Sequence, residues 1–317
     1  MPPAKCDVCI IIPTLNEAQS IGRVISSLPK RVMGKAVCVL VVDGHSRDAT
    51  VEAARAGGAE VLLQKSVGKV AAMKEAVQTM NADVYGFIDG DGTYDGNEFE
   101  HIIAPILRNE ADMVVGSRFL GKMEKGAVTR LNKVGNRLFN MMIKYALGQR
   151  FSDILSGYRA IKGENLRQLV LFSDGFEIEI ETTVEAVVRK LRIAEVPIAY
   201  SKRKGAPSKL RPLEDGARMA RAILFLVMNT RPLFFFAIFA ALFFLIGAYP
   251  TSLVLYEKLS TGEVLHIPSV VLASLLLTTG ILVVFFGLLA ELMVNMRRRL
   301  EYTIETYGRL TEQNRPE

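Results

Sequence analysis

Short apolar runs rich in β-branched residues alternate with helical segments through the first 115 residues of the chain. The runs at 8–12 (VCIII) and 37–42 (VCVLVV) are typical of strands buried on both faces of a sheet. Further strands are predicted at 60–63, 84–88 and 113–115, and helices at 17–28, from 48, at 68–80 and from 97. This alternation predicts an α/β domain with a mainly parallel sheet. Ligands of such sheets bind beyond the carboxyl ends of the strands, so the residues that follow each strand are the candidates for chemistry.

The pattern loosens after the fifth strand. Helices are predicted at about 129–145 and 179–192, a strand at 193–200, and a loop rich in Lys, Arg, Gly and Pro at 201–212. Residues 213–230 have helical amphipathic spacing, and they directly precede a long apolar run. We therefore expect this segment to lie in a membrane interface.

Two runs without any charged residue, 233–256 and 267–290, dominate the last third of the chain. As helices they would each reach roughly 36 Å, enough to cross a hydrocarbon core of about 30 Å with some tilt. The alternative is a pair of buried core helices, which seldom stay free of charge for so long. Neither run is N-terminal, so neither is expected to be a signal peptide.

The charges around these runs predict an orientation in the cell membrane. The link 257–266 carries one Lys, whereas both outer flanks carry the arginines Arg218, Arg221, Arg231, Arg297, Arg298 and Arg299. The excess of positive charge places both termini and the N-terminal region in the cytoplasm. The expected organisation is a catalytic domain at 1–212, an interfacial helix at 213–232, a two-helix hairpin at 233–290 and a charged helical tail at 291–317. The tail is a candidate surface for pairing with a second copy of the chain.

Composition narrows the class of partner. Half of the 317 residues are hydrophobic and the formal net charge is +6. Segments that interleave basic and aromatic residues for nucleic acid are missing, so anionic lipid or a phosphorylated substrate is favoured. A cytoplasmic domain is expected to keep its thiols reduced, and Cys6, Cys9 and Cys38 lack the spacing of a metal site. We therefore interpret all three as small core residues.

The sharpest local motif is FIDGDGTYD at 87–95. Asp89 and Asp91 stand two positions apart where a buried strand ends, so a turn can present both carboxylates to one hard divalent cation such as Mg²⁺ or Mn²⁺. Gly90 and Gly92 let the backbone turn sharply beside a ligand. The alternative is an ordinary surface turn, in which Asp and Gly are common. An EF-hand is disfavoured because its required Gly and Glu are not at the right offsets.

Two other predicted strands also end in polar residues. Asp43 ends the second strand and could accept hydrogen bonds from a base or ribose, and Asp48 suits the N-cap of the next helix. Glu17 follows the first strand in PTLNEA. Each has a structural explanation, but together these strand ends outline a nucleotide-sized crevice.

The motifs PTLNEA (13–18), VVDGHSRDAT (41–50), DGDGTYD (89–95), GSRF (116–119) and SGYRA (156–160) resemble, in this order, family-2 inverting glycosyltransferases of the GT-A fold. With the C-terminal hairpin, the chain is similar to the dolichyl-phosphate mannose synthase and polyprenyl-phosphate glucosyltransferase group, particularly archaeal members that start lipid-linked glycans for protein glycosylation. The resemblance covers about residues 7–232. It implies transfer of a sugar from a nucleotide-diphosphate sugar to dolichyl or polyprenyl phosphate.

The resemblance also implies roles for individual residues, with Asp91 and Arg118 as the catalytic pair. The implied donor-binding residues are Pro13, Leu15, Glu17, Asp43, Lys69, Asp89, Gly90 and Asp91, of which Asp89 and Asp91 would hold Mg²⁺ or Mn²⁺ on the diphosphate. The implied acceptor-phosphate residues are Arg118, Arg130, Arg203, Ser208 and Lys209. A lipid phosphate is already anionic near neutral pH, so no dedicated base is expected, and Asp153 is the spare acid.

Departures from the family pattern leave the donor open among UDP-glucose, UDP-GlcNAc and GDP-mannose. Many relatives carry an aromatic residue in place of Leu15, an acid in place of Gly44 and, in some mannose synthases, a Gln in place of Thr93. Three alternatives remain. A processive polysaccharide synthase would need a segment containing Trp, which this chain lacks. Another family-2 enzyme could act on a sugar hydroxyl, and a non-catalytic membrane adaptor would be expected to lose Asp89, Asp91 and Arg118.

Overall fold

The computed structural model describes residues 4–66, 68–169, 178–203 and 231–313, together with 217, 221, 224, 227 and 228. The chain divides into two compact units, Met1–Ile223 and Leu224–Glu317. The predicted amphipathic helix at 213–230 lies mostly outside the described residues.

The first unit is built on one mixed sheet of eight strands. In chain order the strands are β1 (Ala4–Thr14), β2 (Arg31–Val32), β3 (Lys35–Asp43), β4 (Glu60–Leu63), β5 (Met80–Phe87), β6 (Met113–Ser117), β7 (Arg159–Lys162) and β8 (Ile193–Pro197). Their spatial order is β2-β3-β1-β5-β7-β6-β8, with β4 also beside β3. The pairs β1–β3, β1–β5, β3–β4 and β6–β8 are parallel, which confirms the predicted α/β class. The unpredicted strand β7 runs antiparallel to both β5 and β6.

The helices of this unit are α1 (Ile21–Ser27), α2 (Thr50–Ala56), α3 (Lys69–Thr79), α4 (Phe99–Leu107), α5 (Arg130–Leu147), α6 (Gly163–Gln168) and α7 (Ile178–Val188), with a 3₁₀ turn at Gly96–Glu98. The first helix begins at residue 21 rather than 17, after a turn at 18–20 in which the carbonyl of Glu17 accepts hydrogen bonds from the N–H groups of Ser20 and Ile21. The N-cap of α2 is Ala49 rather than the predicted Asp48, which lies one residue earlier and accepts a hydrogen bond from the Thr50 N–H at 3.2 Å.

Strand β1 lies in the middle of the core and contributes to both faces of the sheet. Val8, Ile10 and Ile12 pack on one face, whereas Cys9 and Ile11 pack on the other. All five side chains are fully buried. This double burial explains why the strand appears in the sequence as a continuous apolar run rather than an alternating one.

Cys6 and Cys38 form a disulfide, so the prediction that all three cysteines are reduced core residues is wrong for this pair. They lie on the neighbouring parallel strands β1 and β3, toward the same hydrophobic cluster, with Cα atoms 6.4 Å apart. The pairing depends on strand neighbours and register, which the spacing of the cysteines does not reveal. Cys9 is free and buried, and burial raises the pKa of its thiol to about 12, so it is an inert core residue as predicted.

The second unit contains two long helices, α8 (Pro232–Thr261) and α9 (Ile267–Gln313). Residues 232–261 and 267–297 are long and apolar enough to cross a membrane, and only 17% of each most apolar window is buried. The helices pack closely where small residues allow it, since a Cβ added at Gly280 or Gly287 would lie 2.8 Å from Phe244 or Phe236. The charged tail continues α9 without a break to residue 313. Pairing of this tail with a second copy stays a prediction.

Candidate active site

The carboxyl ends of β3, β1 and β5 meet at one edge of the sheet, as predicted. Thr14 at the end of β1 lies opposite Asp43 at the end of β3, and β1 pairs with β5 on its other side. Asp43 is fully buried and accepts hydrogen bonds from the Thr14 hydroxyl (3.2 Å), the Ser46 N–H (2.8 Å) and the Ser46 hydroxyl (2.5 Å). The structure therefore shows Asp43 organising the loop beside the crevice.

Two loops on this edge fix each other. Asn16 and His45 both adopt left-handed backbone conformations, with φ of 55° and 63°. The side-chain carbonyl of Asn16 accepts a hydrogen bond from the Arg47 N–H, and its own N–H donates to Ser46 Oγ, both at 2.8 Å. Left-handed residues other than glycine persist where surrounding contacts hold them, so this wall of the crevice is preorganised.

Asp89 lies just beyond β5 and contacts Lys69, the first residue of α3. The Lys69 ammonium is 2.8 Å from Asp89 Oδ1 and 2.6 Å from Glu179 Oε1. Burial alone would raise the pKa of Asp89, but Lys69, Arg118 and Arg159 together hold it below its ordinary value. Asp89 is therefore an ionised carboxylate, and its side chain is still 33% exposed.

The backbone around Asp89 approaches the carboxylate closely. A Cβ added at Gly157 would lie 2.8 Å from Asp89 Oδ2, and one added at Gly90 would lie 2.8 Å from the Thr14 methyl. Both distances are shorter than real Cβ contacts. Glycine at position 157 leaves the space in which the carboxylate sits, and glycine at position 90 lets the turn pack against the end of β1.

Asp91 faces a different set of partners. Its Oδ1 accepts hydrogen bonds from the Thr93 N–H (3.1 Å) and hydroxyl (2.7 Å), and Arg203 Nη1 lies 3.8 Å from its Oδ2. The same guanidinium donates to Glu17. Burial and the nearby charge of Asp89 raise the pKa of Asp91, although Thr93 and Arg203 oppose the shift. Arg203 was predicted to bind the acceptor phosphate. In this structure its guanidinium instead contacts Glu17 and Asp91, two of the predicted donor-binding residues.

These two carboxylates fit a cation that shares its coordination with a substrate. Among the described residues no cluster of three or more His, Cys, Asp or Glu side chains forms a complete protein-only metal site. Asp89 and Asp91 could instead offer two hard oxygen ligands at one edge, and the cationic side chains of Lys69 and Arg203 lie beside them. Magnesium is commonly held by one or two carboxylates and completes its shell with substrate phosphates and water.

Arg118 follows β6 directly and is held at two points by Asp153. Its side-chain Nε and Nη2 lie 2.6 and 2.8 Å from the two Asp153 oxygens. Its backbone N–H also donates to Asp153 Oδ2 at 3.0 Å. The Asp153 carboxylate is fully buried, and the guanidinium also lies 5.2 Å from the centre of the Tyr200 ring. The spare acid predicted from sequence is therefore the group that orients Arg118.

Sequence reasoning missed two buried charged residues behind Asp89. Glu179 in α7 is 5% exposed and contacts Lys69, and Arg159 in β7 is 4% exposed. Arg159 donates to the carbonyls of Ser156, Ile154 and Glu179. The signal available in the sequence was the run EIEIE at 177–181, where acids occupy positions that a buried helix normally gives to apolar residues.

The remaining predicted site residues have simpler positions. Pro13 lies in β1 opposite Val42, and Leu15 is 44% exposed at the mouth of the crevice. Arg130 is the first residue of α5, and its side chain is not described. Ser208 and Lys209 lie outside the described residues. The structure thus pairs Lys69 with Asp89 and places Arg203 against Glu17 and Asp91, and the charge of Asp89 acts on Asp91.

Several known proteins are similar to this chain in sequence or in fold. Glycosyltransferase AglJ of Haloferax volcanii is 36% identical over 308 residues, covering 96% of this chain and 99% of that protein. A dolichyl-phosphate hexose transferase of the same organism is 32% identical over 71% of this chain and 96% of that protein. Glucosyl-3-phosphoglycerate synthase of Mycobacterium tuberculosis, solved with Mn²⁺, UDP and glucosyl-3-phosphoglycerate, matches with a TM-score of 0.56 and 23% identity over 71% of this chain and 80% of that one, which shows a shared GT-A-type fold. The profile of Glycosyl transferase family 2 matches residues 9–169. The chain is a glycosyltransferase and belongs to family 2.

Proposed function

We propose that the chain transfers a hexose from a nucleotide-diphosphate sugar to dolichyl or another polyprenyl phosphate at the cytoplasmic face of the cell membrane. The main support for the proposal is that the carboxylate of Asp153 is already bound by Arg118. The acid best placed to act as a base beside Arg118 is held there by three hydrogen bonds. An acceptor that is already anionic needs no such base, and the name of the dolichyl-phosphate hexose transferase supports this acceptor class.

The donor side is formed by Asp89, Asp91 and Lys69. Asp89 and Asp91 would hold Mg²⁺ or Mn²⁺ together with the donor diphosphate, and the bound cation would neutralise charge on the leaving nucleotide. Lys69 stays protonated beside Asp89: burial alone would lower its pKa, but Asp89 and Glu179 hold it above the ordinary value. Its ammonium therefore adds fixed positive charge where the diphosphate departs.

The acceptor side is formed by Arg118. A phosphate monoester has a second pKa of about 6, so its oxygens are largely ionised near neutral pH. The planar guanidinium can grip two of those oxygens, and Asp153 fixes its orientation. A phosphate oxygen then bonds to the anomeric carbon while the bond from that carbon to the nucleotide diphosphate breaks, with inversion. The acceptor roles of Arg130, Arg203, Ser208 and Lys209 remain part of this proposal.

Donor and acceptor groups lie within electrostatic range of each other. The charge of Arg118 contributes to the lowered pKa of Asp89, and both groups act on the buried hydroxyl of Tyr94. Two polyanionic substrates would therefore meet at a site where cationic side chains offset their repulsion. This arrangement supports direct transfer from one bound substrate to the other.

Helix α5 supports a membrane-bound acceptor. Its outer face exposes Val134, Leu138, Met141 and Tyr145 at helical spacing, while Phe139 and Ile143 on the inner face are buried. Lys133 and Arg137 are exposed next to the apolar stripe. An apolar stripe bordered by basic residues suits the interface of an anionic membrane. The candidate spans in the second unit would anchor the chain there, in the orientation that the arginines predict.

Transfer assays on the detergent-purified full chain test the proposal. The protein is incubated with Mn²⁺ or Mg²⁺, a short polyprenyl phosphate, and labelled UDP-glucose, UDP-GlcNAc or GDP-mannose in turn. We expect one donor to give a lipid-linked sugar, and Asp91→Ala to abolish its formation. Transfer to a sugar hydroxyl but to no lipid phosphate would refute the proposed acceptor, and full activity of Asp91→Ala without divalent metal would refute the proposed site.

A further inference from the structure

Four side chains of alternating charge lead from the crevice into the interior of the first unit. Asp89 is followed by Lys69, Lys69 by Glu179, and Glu179 by the guanidinium of Arg159, which binds its backbone carbonyl at 2.7 Å. The side-chain exposure falls from 33% at Asp89 to 21% at Lys69 and 6% at Glu179. The outer member contacts the crevice, and the inner members lie in the core.

Arg159 fixes the place of Glu179. Besides the Glu179 carbonyl, its guanidinium donates to the hydroxyl of Thr183 one turn later (3.2 Å) and to the carbonyl of Ser156 on the loop beside Asp89 (3.0 Å). The first turn of α7 is thereby tied to β7 and to that loop. A carboxylate on such a fixed helical turn has little freedom to move away from Lys69.

Lys69 needs a partner other than Asp89. A lysine ammonium is a compact charge on a flexible four-carbon stem, and it keeps one position only where its contacts hold it. Asp89 is a proposed ligand of the cation that binds with the donor, and a carboxylate whose charge is shared with a divalent cation attracts a neighbouring ammonium less strongly. Glu179 lies too deep to take part in that coordination, so its hold on Lys69 persists when the donor binds.

We propose that Glu179 is a positioning residue of the donor site, which holds the Lys69 ammonium beside the diphosphate of the nucleotide sugar without contacting the substrate itself. The inference rests on the function proposed above for Asp89 and Asp91. It assigns a purpose to a buried acid that otherwise carries only a desolvation cost. It also predicts that loss of Glu179 acts through Lys69 on the nucleotide and leaves the acceptor side unchanged.

The test combines nucleotide binding with kinetics on the detergent-purified full chain. Glu179→Gln keeps the shape of the side chain and removes its charge, Lys69→Met removes the ammonium, and the double variant removes both. Glu185→Gln is the matched control, because Glu185 lies on the same helix and pairs with Arg189 at 3.6 Å. Binding of UDP and GDP with Mn²⁺ is measured by calorimetry, and the melting temperature by differential scanning fluorimetry.

We expect Glu179→Gln to weaken binding of the preferred nucleotide about tenfold, as is typical for partners that orient the groups of a site. The KM for donor should rise by a similar factor, while the KM for polyprenyl phosphate and the Glu185→Gln control stay at wild-type values. In the Lys69→Met background, Glu179→Gln should cause no further loss of nucleotide binding. The double variant should regain melting temperature relative to Lys69→Met, since the buried Glu179 charge is no longer left without a partner, but it should not regain binding.

Each other result overturns the proposal. Equal losses from Glu179→Gln with and without Lys69 would mean that the two residues act independently. A fall in kcat with unchanged nucleotide affinity would make Glu179 a participant in the chemical step. If the wild type binds nucleotide but transfers no sugar to any lipid phosphate, the proposed function fails while the binding series still decides the role of Glu179. A wild type that binds neither nucleotide would overturn both.

Discussion

Arg118 and Asp153 form a two-point ion pair at the end of β6, with nitrogen–oxygen distances of 2.6 and 2.8 Å. Asp153 is in turn oriented by its neighbours, because its N–H and that of Ser152 donate to the Glu195 carboxylate in β8. The pair is therefore part of a buried polar network. Such networks hold a charged side chain in one orientation.

Removing the charge of Asp153 should impair acceptor use specifically. In Asp153→Asn the side chain keeps one acceptor oxygen instead of two, so the guanidinium loses its two-point contact and its fixed orientation, and we expect the KM for polyprenyl phosphate to rise about tenfold. Donor affinity should change little, because Asp89 and Asp91 are not altered. Steady-state kinetics with each substrate varied in turn measures both quantities. If Asp153→Asn weakened donor binding and left the KM for polyprenyl phosphate unchanged, the assignment of Arg118 to the acceptor would be wrong.

Gly157 should be sensitive to addition of a single methyl group. In Gly157→Ala the new Cβ would lie 2.8 Å from Asp89 Oδ2 and would displace the carboxylate, so we expect transfer to fall at least tenfold. Gly22→Ala in α1 is the control, since nothing lies within 4 Å of its added Cβ. Alanine also favours a helix by about 1 kcal/mol over glycine, so this variant should keep activity and melt slightly higher. Wild-type activity in Gly157→Ala would show that the carboxylate can shift without penalty.

The sequence predicted most of this fold because buried parallel strands leave a strong pattern. The strands at 8–12 and 37–42 lie inside β1 and β3, and the acids at their ends lie at the expected edge. Strand β7 escaped prediction because four residues, two of them basic, carry no periodic signal. Its partners β5 and β6 come from distant parts of the chain, and only tertiary pairing makes it a strand.

The site was predicted in part for a related reason. Asp89 and Asp91 stand two positions apart in one short motif and could be identified from that spacing, whereas Lys69 and Glu179 are 110 residues apart and meet only in the folded chain. Asp153 was identified as an available acid, but its commitment to Arg118 depends on where two loops come together. The sequence of a single chain does not reveal contacts of this kind, between segments that are distant from each other along the chain.

A charge cluster between α4 and the strands β6, β7 and β8 should make the stability of the fold depend on pH in the acidic range. Asp112 accepts hydrogen bonds from Arg192 and forms an ion pair with Lys162 at 2.8 Å, and these partners hold its pKa well below the ordinary value. A depressed folded pKa gives stability that is present above the unfolded pKa of about 4 and is lost as pH falls below it. We expect the melting temperature of the wild type to drop below pH 4 more steeply than that of Asp112→Asn. Parallel curves for the two proteins would show that the cluster contributes no stability.

The disulfide between Cys6 and Cys38 should stabilise the first unit by restricting its unfolded chain. The bond spans 32 residues along the sequence, a separation for which loop-closure entropy predicts about 3–4 kcal/mol. Cys6→Ser, or reduction with dithiothreitol, should therefore lower the melting temperature by several degrees. Cys9→Ala is the control, because Cys9 is free and should respond only through its loss of packing. Mass spectrometry after alkylation of the denatured but unreduced protein checks that the bond is present: one modified cysteine is expected, and three would mean that the strands are joined by packing and hydrogen bonds alone.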